Sequence, residues 1–192
     1  MKDTKNFIVK TAADLFLQRG YNEVSIADLV KESGLTKGAF YHYFASKELL
    51  FKAVLENVTA LYEAQCSRGE NMTLREFYRA DIDSFMKILP PDDDGAKAQY
   101  NFFALFFDAT EIFPEMRMEI KNIWRRKKDV WREVIMRAQE NGEINTDMAA
   151  EHIADIFMTS SDGLVLYYIF TRQNGAREAL LRLWNDYYAS LR

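Results

Sequence analysis

Apolar residues recur along this chain at the spacing of an α-helix face. Ile8, Ala12, Leu15 and Phe16 stand at i, i+4, i+7 and i+8, which aligns them on one stripe. Gly20 follows and suits the left-handed residue beyond a helix C-terminus. Ser25, with Asp28 three positions later, reads as a capping box, and Ile26, Leu29 and Val30 form the buried face of the short helix it opens. Gly34 ends that helix. Thr36 caps the next, with Phe40, Tyr43 and Phe44 as its apolar positions. Ser46 caps a fourth through Leu49, Leu50, Ala53, Val54 and Val58.

The polar stretch Ser67 to Asn71 predicts a loop, and Thr73 with Glu76 predicts a second capping box opening a helix to Leu89. Pro90 to Gly95 is a break. A helix follows from about Ala96 to Thr110, then Pro114 at the first position of a long one that Gly142 can close. Thr146 is placed to cap an eighth helix ending near Thr171, and Asn174 a ninth to the end. No turn dipeptide joins two alternating runs, so no strand is predicted. The expected fold is all-α with about nine helices, four short ones in front and five longer ones behind.

The spacing from Ser25 to Phe44 is that of two short helices joined by a tight turn. Such a turn forces a steep crossing and leaves the second helix prominent at the surface. That helix begins small and polar, with Thr36, Lys37, Gly38 and Ala39, and becomes aromatic at Phe40, Tyr41, Tyr43 and Phe44. Small residues let its first turn approach base edges in a major groove, while its free amides attract phosphate.

The stretches Ala12–Phe16, Gly20-Tyr21, Val24–Leu29, Gly34–Phe44 and Ser46–Glu48 together strongly resemble the TetR family of transcriptional regulators. The resemblance covers roughly the first 55 residues. It implies a three-helix DNA-binding domain over 1–48, running into a connecting helix to about residue 66, and an effector-binding and dimerisation domain over 49–192. Ser25 and Thr36 are helix caps first, and by resemblance also phosphate contacts. Lys37 sits in the first turn of the recognition helix, where a cation gains nothing from the helix dipole, so its place there fits a DNA contact. Gly38 and Ala39 give clearance for the groove or close helix packing. Tyr41 and His42 resemble the family's phosphate-contacting pair, and Lys47 its backbone contact. Phe40, Tyr43 and Phe44 are expected in the core. One such head meets few base pairs, so specific binding of a double-stranded operator calls for a homodimer with heads about 34–36 Å apart.

By resemblance, the last two helices pair with those of a second subunit, and Phe157, Leu164, Tyr168, Leu180, Trp184 and Tyr187 are the candidate interface residues. The alternative is that these faces are internal core. Met86, Phe103, Phe106, Phe107, Trp124, Trp131, Met158 and Asp162 are candidates to line a pocket for a largely apolar or aromatic effector. The aromatic and Met residues can equally fill a solid core. Asp108 and Asp162 lie beside apolar runs and could meet a cationic ligand, a neighbouring helix or solvent. The basic run Arg125 to Lys128 is expected as a solvated face.

Charge fits this division. Residues 1–52 carry a net charge of +2 and the remainder -6, within a total of -4. The unbroken apolar runs 102–107 and 164–170 fall short of the ~18 residues of a membrane span. Cys66 is the only cysteine, so no internal disulfide can form, and a cytoplasmic location with no membrane partner is expected. An enzyme is disfavoured: His42 and His152 are the only histidines, and neither a metal-ligand spacing nor a phosphate-binding glycine loop is present. No cofactor or metal is expected. The expected function is a repressor released from a palindromic operator by a small effector. The alternative is a regulator of the same kind with no such effector, gated by a protein partner or constitutive.

Overall fold

The computed structural model describes residues 2–66, 69, 71–88 and 96–192. Among them are nine helices and no strand: α1 (Lys2–Arg19), α2 (Ile26–Ser33), α3 (Lys37–Tyr43), α4 (Lys47–Cys66), α5 (Leu74–Ile88), α6 (Ala96–Ile112), α7 (Met116–Glu140), α8 (Ala150–Thr171) and α9 (Ala176–Ser190). The break expected over 90–95 lies outside the described residues, as does most of the expected loop over 67–71.

Most helix signals act as their chemistry requires. Ser25 Oγ accepts from the main-chain N–H of Asp28 at 3.1 Å, and the Asp28 carboxylate accepts from the N–H of Ser25 at 2.9 Å. Thr73 and Glu76 repeat the same exchange at 3.2 and 3.0 Å. Gly34 ends α2 with φ +65°, and Gly142 follows α7 with φ +69°, a region that disfavours any residue with a Cβ. Three signals were misplaced. Pro114 lies in a turn before α7, which starts two residues later at Met116. Thr146 accepts from the N–H of Met148, closing a local turn, and α8 begins only at Ala150. Asn174 yields to Gly175, which precedes α9 with φ +93°.

The helices form two compact units, one of residues 1–60 with 90–119, the other of residues 61–89 with 120–192. In the first, α1 to α4 enclose Phe16, Phe40, Leu50 and Phe51, all with no exposed surface. Each such side chain contributes about 1.5–3 kcal/mol through burial. Leu105, Ala109 and Met116 complete this core, so α6 is packed with the helices in front of it, of which only α2 and α3 are short: α1 and α4, expected short, run 18 and 20 residues.

The second unit is built around aromatic rings. Trp131 and Phe157 stack with centroids 4.8 Å apart, and Trp184 meets both edge-on at 5.3 and 5.2 Å. Tyr78 stacks on Phe157 at 5.8 Å and donates its hydroxyl to Asn185 at 2.6 Å. Helix α8 is long and apolar enough to cross a membrane by length and composition. One of its faces, with Ile153, Phe157, Ser161 and Val165, is buried in this core.

Candidate nucleic-acid interface

The α2–turn–α3 segment is held open to solvent by what it buries. Leu29 at 1% and Phe40 at 0% exposure anchor the two helices from below, and Phe44 closes the far end of α3 at 4%. With Phe40 and Phe44 pointing inward, Tyr41 and His42 between them face out. Thr36, Lys37, Gly38, Tyr41 and His42 are exposed, Ala39 is half-exposed, and Tyr43 is half-buried against the core. Thr36 Oγ1 accepts from the N–H of Ala39 at 3.2 Å, which fixes the first turn of α3.

Gly38 needs no close packing within the subunit, because a Cβ placed there would meet nothing within 4 Å. Lys37 Nζ lies 6.0 Å from the centre of the Tyr41 ring. Ser25 is exposed at the start of α2, where its partner Asp28 also pairs with Arg19 at 3.2 Å. The Ser25 hydroxyl, then the Ser25 N–H, then Arg19 hold the Asp28 carboxyl well below the usual range.

Lys47 has a setting that the sequence pattern did not reveal. Its Nζ lies 4.0 Å from the centre of the Tyr21 ring, within the range of a cation–π contact. Partial burial lowers its pKa, against the pull of Glu48 and Asp108. Tyr21 is itself pushed up to about 12, first by burial and then by the same two carboxylates. Two residues of α6 also reach the corner between α1 and α2: Asn101 Nδ2 donates to the main-chain oxygen of Leu17, and Asn22 Nδ2 donates to Asp108 Oδ1 at 3.4 Å. Asp108 thus bonds to a neighbouring segment. The signal for Asn101 was present, a polar side chain at the head of an aromatic run.

Residues 8–54, which contain this helix pair, match the sequence profile described as "Bacterial regulatory proteins, tetR family". This segment is of the TetR family. It is similar to the HTH-type transcriptional regulator YuxN of Bacillus subtilis, 47% identical over 55 residues, which are 29% of this chain and only 19% of YuxN. It is also similar to the HTH-type transcriptional repressor DhaR of Mycobacterium sp., 24% identical over 163 residues, 84% of this chain and 80% of DhaR. Its fold is that of a transcriptional regulator from Saccharomonospora viridis solved in complex with choline: TM-score 0.77 and 20% identity, covering 97% of this chain and 96% of the other.

In this chain, the residues singled out for dimerisation fall into two groups. Phe157 and Leu180 at 0% and Trp184 at 1% exposure are sealed in the subunit's own aromatic core, out of a partner's reach. That corrects the expectation for these three. Leu164, Tyr168 and Tyr187 are half-buried. The exposed apolar residues of the same helices are Ile156, Tyr167 and Phe170 on α8 and Leu183 on α9.

The candidate pocket residues are likewise divided. Trp131 and Met158 belong to the second core, and Met86 packs against it. Trp124 is exposed on α7. On α6, Phe102 is the buried ring, Phe103 and Phe106 are half-buried beside it, and Phe107 is 70% exposed. Asp162 is half-buried and pushed up to about 6, chiefly by burial, with Lys127 opposing the shift and Asp81 adding to it. Lys127 pairs with Asp81 at 3.1 Å, and Lys128 reaches Glu151 and Asp155 at 2.8 Å each. Lys127 and Lys128 of the basic run are therefore half-buried in ion pairs, which corrects the reading of a solvated face for these two, whereas Arg125 and Arg126 are exposed. An open pocket of about 740 Å³ lies among Asn71, Met72, Thr73, Arg137, Ala138, Asn141 and Glu143, none of them a predicted ligand residue.

Proposed function

We propose that the whole chain is a TetR-family regulator: a cytoplasmic homodimeric repressor that reads a palindromic operator through α3 and is not an enzyme. The observation that carries the reading is the sidedness of α3. Phe40 and Phe44 are buried while Thr36, Lys37, Gly38, Tyr41 and His42 face solvent. In the complex, Gly38 and Ala39 approach base edges, and Ser25, Thr36, Lys37, Tyr41, His42 and Lys47 donate to phosphates. The naming of DhaR as a repressor supports the sign of regulation.

The dimer forms on the exposed apolar face of α8 and α9. Ile156, Tyr167 and Phe170 share one side of α8, and a Cβ at Gly163 on that side would meet nothing within 4 Å. Leu183, with Leu164, Tyr168 and Tyr187 at the margin, extends the patch. Release from the operator follows the binding of a small, largely apolar or aromatic effector. Phe103, Phe106 and Phe107 on α6, which lie outside both core clusters, support an apolar ligand, and the choline complex of the S. viridis regulator supports a small one. The effector acts only by its differential affinity for the two head spacings, typically ~1–3 kcal/mol or 5- to 150-fold in DNA affinity.

Selection of bound duplexes from a random DNA pool tests the proposal. A palindromic consensus with half-sites about one helical turn apart is expected. Recovery of no consensus, or of a single asymmetric half-site, would overturn it.

A further inference from the structure

We propose that Asn101, on α6, is a positioning residue for Lys47: it fixes the corner between α1 and α2 whose Tyr21 ring supports that lysine. The proposal rests on the reading of Lys47 as a contact to the DNA backbone. Helix α1 ends at Arg19, so the carbonyl of Leu17 is among the last four, which lack a partner within the helix. Asn101 supplies the partner from another helix. Its Nδ2 donates to Leu17 O at 2.8 Å, and the residue is only 6% exposed. Gly20, with φ +90°, turns the chain at this corner beside the amide, and a Cβ there would be in ordinary van der Waals contact with Asn101 Oδ1 at 3.6 Å. Seven residues along the same face of α6, Asp108 accepts from Asn22 on the other side of the corner. Leu105 and Ala109 hold that face in the core of the same unit.

Tyr21 sits between these two attachments. It is buried, stacks on Phe51 with centroids 4.1 Å apart, and meets Phe16 edge-on at 5.4 Å. Lys47 and Phe51, one turn apart on α4, both bear on this ring. A corner released from Asn101 leaves the Leu17 carbonyl without a partner in a nearly dry site, so the corner must shift to find water, and Tyr21 shifts with it. The ammonium group of Lys47 then loses its support and its place.

The test reads Lys47 directly and through DNA. In the full-length protein, the ε-methylene protons of Lys47 are expected to resonate upfield under the Tyr21 ring and to return toward free-lysine values in Asn101→Leu. If Asn101→Leu loses its helical signal, Asn101→Asp, which keeps the shape, removes the donor and adds a charge, is read in its place above the carboxyl pKa. With selected operator DNA, the Asn101 variant is expected to weaken binding about tenfold, but less than about twofold when Lys47→Ala is already present. The log–log salt slope of the dimer should fall by about 0.9 for each phosphate that is no longer neutralised. Equal losses in the two backgrounds, or unmoved Lys47 resonances, would overturn this proposal alone. Failure of the parent protein to bind any selected duplex would overturn the DNA reading as well.

Discussion

Trp184 donates its indole N–H to the hydroxyl of Ser160 at 3.0 Å, so the largest side chain of α9 is bonded within its own subunit. Its ring meets Trp131, Phe157 and Tyr78, all buried. Trp184→Ala is therefore expected to cost about 3–5 kcal/mol of folding stability, measured by chemical denaturation. Phe170 stands 69% exposed on the other side of α8. Phe170→Asp should keep the helical signal and move the protein toward a monomer in sedimentation. A dimer that survives Phe170→Asp intact would place the interface elsewhere.

The loop after α7 is tied to the start of α5 by one carboxylate. Glu143 accepts from the main-chain N–H of Leu74 at 2.9 Å and of Arg75 at 3.1 Å, and from the hydroxyl of Tyr188 at 3.0 Å. A carboxylate there satisfies two of the free amides of α5 and complements its dipole. Glu143→Ala should destabilise the fold by about 1–3 kcal/mol in urea titration. An unchanged midpoint would mean that water replaces the carboxylate without loss.

The chain reveals some of this structure more readily than the rest. Caps are local, so Ser25 with Asp28, Thr36 and Thr73 with Glu76 could be read from spacing alone. The outward face of α3 followed from the inward pull of Phe40 and Phe44. Periodicity does not say which of two apolar faces meets the subunit's own core. Phe157, Leu180 and Trp184 look like interface residues for that reason, yet Ile156, Tyr167, Phe170 and Leu183 are the ones left exposed. Asn101 and Glu143 act across gaps of 84 and 69 residues, which no local pattern encodes. Thr146 and Asn174 failed as caps because a competing local turn and a left-handed Gly175 begin the helices further on.

Asp162 offers a pH-dependent test of the second unit. Its carboxyl is raised from 3.8 to about 6, chiefly because burial penalises the charged form. The folded state therefore holds a proton that the unfolded chain releases. Stability falls as pH rises from about 4 to about 6, and above that window the full cost is present. Asp162→Asn removes the penalty. At pH 8 the variant should gain about 1–3 kcal/mol over the parent protein, and the gain should fade below pH 4. A gain that persists at pH 3 would point to better packing instead of a removed charge.

Lys37 and Tyr41 give the sharpest check on the surface that reads DNA. Both are exposed on α3, and Tyr41→Phe keeps the ring that meets Phe40 edge-on. Lys37→Ala should leave helical content and the dimer unchanged, weaken operator binding at moderate salt, and lower the log–log salt slope by about 0.9 per phosphate left without its cation. Tyr41→Phe removes a hydroxyl donor and no charge, so it should weaken binding with the slope retained. The contrast separates a charge contact from a hydrogen bond on one helix. Equal slopes for Lys37→Ala and the parent protein would show that this lysine meets no phosphate, and unchanged affinity in both variants would remove α3 from the interface.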